Sequence, residues 1–169
     1  EGSWIPLQNS NFIKDDIKIV IGNTTSSMTK VSLDIVNKQQ NMTLFSPTAS
    51  SNEFTKKDDN LIRTQVSNSH TKFVYAASYF KNNNIKNIIG IYDPNNLAYS
   101  KDLLFNLEKA VLLKKGKEFV DTIKSTNSFE SIKKRIQNQD VDLIVIVASS
   151  IDSAKLIQYL RINNINNKI

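Results

Sequence analysis

The chain has 169 residues, of which 40% are hydrophobic and 22% charged, a balance typical of globular proteins. It contains no cysteine and a single histidine, His70, which excludes a disulfide framework, a thiolate metal site and a cysteine nucleophile. The formal charge of +6 comes from scattered lysines and well-separated arginines, a pattern that favours a solvated surface over a nucleic-acid interface. No apolar run approaches the ~18–20 residues of a membrane span, and no signal peptide is visible.

A strand, a helix and a second strand are predicted in the first quarter of the chain. The apolar run Ile17–Ile21 ends at Gly22, and the polar turn Asn23–Ser27 can cap a helix. Met42–Phe45 is the next predicted strand. The apolar face of the helix between these strands consists of Met28, Val31, Ile35 and Val36.

A hydroxyl-rich turn follows the second strand. Ser46–Ser51 carries four hydroxyl groups and one proline, and a short strand, Leu61–Val66, comes after it. A buried strand that ends in such a turn brings backbone N–H groups and hydroxyl oxygens to one edge of a sheet. This arrangement is suited to holding a small polar or anionic molecule.

The next predicted elements are a helix, a strand and a long helix. Ser67 or Asn68 can cap the first helix. Ile85–Tyr92 is a nearly continuous apolar strand, and Asp93–Asn96 is a strong turn signal. The long helix is predicted over Ala98–Lys115, and Gly116 is well placed to end it.

The last third repeats the alternation of strand and helix. Glu118–Ile123 is a predicted strand, and Asn127 with Glu130 three residues later forms a capping-box pattern for the helix that follows. Leu143–Ala148 is six apolar residues in a row, as in a parallel strand that is covered on both faces. A polar turn and a final helix come next, and Asn163–Ile169 is predicted to be a loop.

The repeated βα order predicts an α/β fold with parallel sheets. Polar turns follow four of the predicted strands, at residues 22–27, 46–51, 93–100 and 149–153. Because open parallel sheets bind ligands at the carboxyl ends of their strands, these turns are the candidate binding region.

Four motifs carry a resemblance to a known family. They are Ile-Gly-x-x-x-Ser-Ser at 21–27, Ser-Pro-Thr-Ala-Ser at 46–50, Ile-Tyr-Asp…Ala-Tyr-Ser at 91–100 and Val-Asp-Leu-Ile…Ala-Ser at 141–149. In this order and spacing, the chain resembles the type I periplasmic binding proteins, specifically the leucine/isoleucine/valine-binding branch. That branch also supplies ligand-sensing ectodomains of receptors.

The resemblance implies two Rossmann-like lobes that close on a small ligand about a hinge. Residues 1–66 would form part of lobe 1, and residues 67–169 part of lobe 2. The fold would be incomplete in this chain, because the first strands of lobe 1 and the later segments of lobe 2 are missing. Three strands per lobe would leave apolar faces uncovered, so we expect further residues or a second copy in a homodimer to cover them.

The resemblance also implies the ligand contacts. Ser26, Thr48 and Ser50 would hold a carboxylate with neutral donors at a helix start. Tyr99 would cover the ligand from lobe 2, and Ser149 would stand where the family often has an aromatic residue. The family's acidic partner for an α-ammonium group is missing, and Asp93 and Asp152 are the nearby acids that could replace it.

The expected function is a solute-binding domain outside the cytoplasm, with no metal or cofactor. It would bind an amino-acid-like molecule or another carboxylate, and it would work with a membrane permease or an attached signalling domain. The first alternative is an interaction or assembly module that retains the fold but not the ligand. The second is an enzyme, which the lack of a nucleophile elbow, a dinucleotide-binding loop and a Walker loop disfavours.

Overall fold

The computed structural model describes residues 11–116 and 119–169, which form two compact units. Unit 1 contains the described residues up to Asn68 together with Asn95–Tyr99, and unit 2 contains those of Ser69–Pro94 and Ser100–Ile169. Residues 1–13 of the sequence show no clean hydrophobic period, and of these, residues 1–10 lie outside the described residues. Glu118, the first residue of one predicted strand, lies outside them as well.

Unit 1 is a three-stranded parallel sheet with one main helix. Its strands are β1 (Ile19–Ile21), β2 (Thr43–Ser46) and β3 (Leu61–Arg63), in the order β1-β2-β3. Helix α1 (Ser26–Val36) connects β1 to β2. Each strand lies within the apolar run that predicts it, or extends one residue beyond it. The match is expected because successive side chains of a strand point to opposite faces, and those on the buried face are apolar.

The two faces of the unit 1 sheet differ. Leu44 in the central strand is buried in a cluster with Leu33 and Val36 of α1. The opposite face carries the row of paired residues Ile21, Phe45 and Ile62, in which Ile21 is 77% and Ile62 54% exposed. The sheet is therefore packed on one side only within the described residues, as three strands per lobe predict.

Unit 2 is a second parallel sheet, with the order β5-β4-β6. The strands are β4 (Ile88–Tyr92), β5 (Asp121–Lys124) and β6 (Leu143–Val147). Four helices belong mainly to this unit: α2 (Val74–Asn82), α3 (Leu97–Lys115), α4 (Phe129–Gln137) and α5 (Ser150–Ile162). The first three residues of α3 belong to unit 1.

The central strand β4 explains why unit 2 holds together. All five of its residues are buried. Ile89 and Ile91 contribute to a core cluster with residues of α4 and α5, among them Ile132 and Leu156. Gly90 faces the other way, toward Leu104 of α3. Helices thus cover both faces of the strand, as is usual in a parallel sheet.

The boundaries of several elements differ from the sequence prediction. Ser128, rather than Asn127, caps α4 by accepting a hydrogen bond from the Ser131 N–H group. Neither Ser67 nor Asn68 caps α2, because a 3-10 turn, His70–Phe73, precedes that helix.

Two further predictions concern unit 2. The predicted end of α3 is correct, and the predicted loop at the C-terminal end of the chain is not. Gly116 does end α3, with a φ of 69° that favours glycine. The segment Asn163–Ile169 is not only a loop, because Lys168 forms a parallel β-bridge with Leu143. No helix within the described ranges is both long enough and apolar enough to cross a membrane.

Replacing Gly90 by alanine should destabilise unit 2. The added Cβ atom would lie 3.0 Å from Leu104 Cδ1 and 3.2 Å from Phe119 Cδ2. Overpacking a core in this way costs about 1–3 kcal/mol in the free energy of unfolding, measurable by urea denaturation. The Leu104→Val background removes one methylene from the crowded side chain and should reduce the cost. An equal cost in both backgrounds would show that Leu104 is not the obstacle.

Candidate functional site

The two turns at the carboxyl ends of β1 and β2 are joined by the hydroxyl group of Ser26. Thr25 caps α1 by accepting a hydrogen bond from the Met28 N–H group at 3.2 Å, so Ser26 is the first residue of the helix. The Ser26 side chain accepts hydrogen bonds from the backbone N–H groups of Ser50 and Ser51, each at 3.3 Å. Ser26 is only 2% exposed, and both of its partners are buried.

Two further hydroxyl groups, both on the second turn, also join the two turns. Ser46 Oγ donates to the carbonyl oxygen of Asn23 at 3.1 Å. Thr48 Oγ1 lies 3.3 Å from that oxygen and 3.0 Å from the carbonyl oxygen of Thr24. Thr29 Oγ1 lies 3.3 Å from Ser46 Oγ, which links the turn to α1. The first turn therefore supplies backbone acceptors, and the second supplies donors.

Arg63 supports the hydroxyl-rich turn from β3. Its guanidinium group donates to the carbonyl oxygen of Ser51 at 2.7 Å, to that of Ala49 at 3.4 Å and to Thr55 Oγ1 at 2.6 Å. The guanidinium carbon also lies 5.8 Å from the centre of the Phe54 ring. In the sequence, the context Ile62-Arg63-Thr64 favours a structural charge on the side of the hinge, but it does not predict that this side chain binds the turn itself.

The outer side of the turn is held by an ion pair. Lys30 Nζ of α1 lies 2.8 Å from Glu53 Oε2 in the 3-10 helix Asn52–Phe54. The hydrogen bond with Glu53 and the charge of its carboxylate raise the pKa of the Lys30 amine above its ordinary value. The lysine therefore keeps its charge throughout the neutral range.

The beginning of α1 has a further neighbour in the segment Asn95–Tyr99. Asn96 Oδ1 accepts a hydrogen bond from the Ser27 N–H group at 3.3 Å. In return, Ser27 Oγ accepts one from the Ala98 N–H group at 3.1 Å. The carboxamide oxygen of Asn96 thus lies against an amide of the first helical turn, where helices attract negative charge. Sequence reasoning missed Asn96, since only the fold brings it beside α1.

The five predicted ligand contacts fall into two groups. Ser26, Thr48 and Ser50 belong to the joined turns of unit 1, and the half-buried Tyr99 is grouped with the same unit. Ser149 is an exposed residue of unit 2, where it caps α5. Its Oγ accepts a hydrogen bond from the Asp152 N–H group at 3.1 Å and donates to Asp152 Oδ2 at 2.7 Å.

Asp93 and Asp152 are the two acids that could replace the family's acidic partner for an ammonium group. The Asp152 carboxylate is hydrogen-bonded to Ser149, and the bonds described for Asp93 are made by its backbone groups. The carbonyl oxygen of Asp93 accepts from Ser100 Oγ at 2.6 Å, and its N–H group donates to the Val147 carbonyl oxygen at 3.0 Å. Within residues 11–116 and 119–169, no cluster of three acidic or histidine side chains is arranged to hold a metal ion. In the joined turns, the Ser46 and Thr48 hydroxyl groups and the Ser50 and Ser51 amides are hydrogen-bonded within the protein. The beginning of α1 beside them is the end of a helix that suits a small anion.

Comparisons with known proteins show the fold. No protein-family model and no curated protein matches the chain. Among solved structures, the branched-chain amino acid binding protein LivJ from Streptococcus pneumoniae, in complex with isoleucine, matches with a TM-score of 0.74 and 20% identity. The match covers 99% of this chain and 47% of that chain.

Two other substrate-binding proteins match in the same way. A solute-binding protein from R. palustris, in complex with benzoate, has a TM-score of 0.79 and 15% identity, and the match covers 96% of this chain and 45% of that one. An ABC transporter substrate-binding protein from Desulfitobacterium hafniense, in complex with Leu, has a TM-score of 0.69 and 15% identity, over 96% and 49% of the two chains. The α/β fold expected from the sequence is thus confirmed, and the chain spans about half the length of these structures.

Ser26 and Ser32 are both buried serines of α1. Replacing each by alanine distinguishes the loss of the Ser26 hydrogen bonds from the effect of removing any buried hydroxyl group. Ser26→Ala leaves the N–H groups of Ser50 and Ser51 without their acceptor, which should cost about 1–3 kcal/mol in the free energy of unfolding. Ser32 is 1% exposed, and its Oγ has no hydrogen-bond partner among the described residues. Ser32→Ala should therefore be neutral or stabilising. Equal losses for both variants in denaturant unfolding would contradict the assignment.

Proposed function

We propose that the chain is a solute-binding domain for a small amino-acid-like or other carboxylate ligand. The observation that carries the proposal is the pair of turns joined by Ser26, Ser46 and Thr48 beside the N-terminus of α1. These turns lie at the carboxyl ends of parallel strands, where α/β sheets bind ligands. Neutral donors and a helix start stabilise a carboxylate without requiring an arginine or a metal ion.

The bound molecules of the similar solved structures support this chemistry. Their ligands are leucine, isoleucine and benzoate. These three molecules differ in shape and in whether they carry an ammonium group, but all carry a carboxylate. We therefore propose that this chain recognises the carboxylate through unit 1. Tyr99 and Ser149 remain proposed contacts to the rest of the ligand.

The biological setting proposed for this domain is outside the cytoplasm. It would deliver its ligand to an ABC-type permease or act as the sensor domain of a receptor. We propose a non-catalytic role, because the joined turns contain only neutral hydroxyl and amide groups. The Ser46 and Thr48 hydroxyl groups donate to backbone carbonyl oxygens rather than to a general base, which a serine or threonine nucleophile would need.

The second candidate is an interaction or assembly module that has lost its ligand. Two observations favour it. The Ser27 N–H group already has the Asn96 carboxamide oxygen as its acceptor. The open face of the unit 1 sheet presents exposed apolar residues, Ile21 and Ile62 among them, of the kind that protein interfaces bury.

A panel of matched ligands separates the two candidates. Leucine, isoleucine and benzoate should raise the melting temperature, while leucinamide, isoleucinamide and benzamide should not, because they lack the carboxylate. A ligand at 100 times its Kd stabilises the native state by about 2.7 kcal/mol. Differential scanning fluorimetry and titration calorimetry measure both effects. If no carboxylate in the panel changes the melting temperature, the interaction module is the better description.

Substitutions at Tyr99 test the proposed ligand contact. Tyr99→Ala should weaken binding of whichever carboxylate the panel identifies, because it removes the aromatic surface that would cover the ligand. Aromatic contacts of this kind contribute about 0.5–1.5 kcal/mol beyond the buried area, so we expect a loss in affinity of roughly twofold to tenfold or more. Tyr99→Phe keeps the ring and should retain most of the affinity. Unchanged affinity in Tyr99→Ala would remove Tyr99 from the site.

A further inference from the structure

Helix α3 carries large apolar residues on two sides. Leu104, Leu107 and Val111 are buried and form the inner side of the helix. On the outer side, Phe105 is 64% and Leu112 38% exposed. These two residues are seven positions, or two helical turns, apart, so they lie on one line along the helix. A surface helix normally carries polar residues on its outer side, and apolar residues on both sides are typical of a helix that is covered on both.

A pocket lies beside Phe105, between α3 and β5. It has a volume of about 370 Å³, and its apolar wall includes Tyr92, Leu104 and Phe105. Lys101 and Glu108 of α3 also line it, and Lys101 Nζ lies 5.0 Å from the centre of the Tyr92 ring. Aromatic side chains within a charged rim are the usual composition at the centre of a protein–protein interface.

Four charged residues surround Phe105 in a symmetric order. Lys101 precedes Phe105 by four positions and Glu108 follows it by three, so both lie on one flank of the line through Phe105. Asp102 precedes Phe105 by three positions and Lys109 follows it by four, so both lie on the other flank. On each flank, the residue before Phe105 and the residue after it have opposite charges. The pattern is therefore complementary to itself when a second helix runs antiparallel.

We propose that α3 is the interface of a homodimer, in which the α3 helices of two copies pack antiparallel about a two-fold axis at Phe105. Lys101 faces Glu108 of the second copy, and Asp102 faces Lys109 of the second copy. Each of these ion pairs occurs twice by symmetry. Phe105 of each copy contacts Phe105 of the other and the pocket beside it.

The charge order identifies the occupant as a second copy of this chain. A two-fold interface must be complementary to itself, whereas an unrelated partner would need no such relation between the two flanks of Phe105. This dimer differs from the one that the uncovered sheet faces led us to expect. None of its contact residues is among the proposed ligand contacts, so the dimer is tested without a ligand.

Sedimentation velocity of the unmodified chain, measured over a range of concentrations, tests the association. We expect a reversible equilibrium between monomer and dimer. Phe105→Ser should raise the dissociation constant of the dimer at least tenfold, because it removes the central side chain from both copies. Ile62→Ser is the matched control. It removes an apolar side chain that is 54% exposed on the open face of the unit 1 sheet, and it should leave the dissociation constant unchanged.

Two results of this experiment would overturn the proposal. The first is a chain that remains monomeric at concentrations up to about 1 mM. The second is a dimer that Ile62→Ser dissociates and Phe105→Ser does not, which would make the open sheet face the interface. Circular dichroism and the melting temperature establish that both variants are folded, as expected for changes at exposed positions.

Charge reversal tests the proposed pairing independently of the apolar contact. Lys109→Glu places a carboxylate opposite Asp102 of the second copy and should raise the dissociation constant by about threefold to tenfold. Lys114→Glu makes the same change in net charge at another exposed position of α3. Lys114 follows Phe105 by two and a half turns and so lies on the opposite side of the helix, where the change should not weaken the dimer.

The Asp102→Asn background identifies the partner of Lys109. The neutral side chain retains an oxygen for the hydrogen bond from Asn106 Nδ2 but does not repel a carboxylate. Lys109→Glu should therefore cost less in this background than in the unmodified chain. Within one chain, residues 102 and 109 are two turns apart, so a difference of this kind reports a contact between copies. An equal cost in both backgrounds, or equal weakening by Lys109→Glu and Lys114→Glu, would overturn the proposal.

Discussion

The structure depends on how two neighbouring turns satisfy their backbone groups after the strands end. In a parallel sheet, the carboxyl ends of the strands meet at one edge, and the turns there have no sheet partner for their amides and carbonyls. In unit 1, Ser26 accepts from the amides of Ser50 and Ser51, while Ser46 and Thr48 donate to carbonyls of residues 23 and 24. Each turn supplies hydrogen-bond partners for the other, so the hydroxyl-rich segment keeps its shape without a bound molecule. Arg63 of the third strand supports the same segment. A segment that keeps its shape in this way does not have to be ordered when a ligand arrives, which lowers the entropic cost of binding.

The same sheets are unfinished on their other surfaces, and the cause is the same parallel topology. A parallel strand needs covering on both faces and pairing on both edges. Among the residues that the structure describes, the face of unit 1 with Ile21 and Ile62 is open, and the edge of β6 in unit 2 is paired only at Lys168. Both gaps are apolar, and exposed apolar surface of this kind favours association with another polypeptide segment.

Much of the architecture could be predicted from the sequence because burial in the core requires apolar residues at regular positions along strands and helices. The uninterrupted apolar run at β6 predicts a buried parallel strand, the nearly continuous run at β4 predicts a strand, and the strand-helix alternation predicts the sheet type. Capping was harder to predict, since Asn127 and Ser128 are adjacent polar residues and only the path of the backbone decides which side chain meets the Ser131 amide. The contacts of Arg63 and Asn96 could not be foreseen at all, because they join residues separated by 12 and 69 positions in the chain. For the same reason, the pairing of Lys168 with β6 has no local signal in the polar tail that precedes it.

The contact between Asn96 and α1 bears directly on the choice between a binder and an assembly module. An amide oxygen carries only a partial charge, so its bond to the Ser27 N–H group is weaker than the charge-assisted bond that a carboxylate would make in the same place. A carboxylate ligand could therefore displace Asn96 with a net gain, and the Asn96 side chain would serve as a placeholder for the ligand. In an assembly module there is no competing anion, and the bonds of Asn96 and Ala98 to Ser27 would simply hold the segment Asn95–Tyr99 against α1. The two descriptions differ in whether a ligand displaces Asn96 from the Ser27 N–H group. Displacement by a carboxylate agrees better with neutral donors gathered at a helix start.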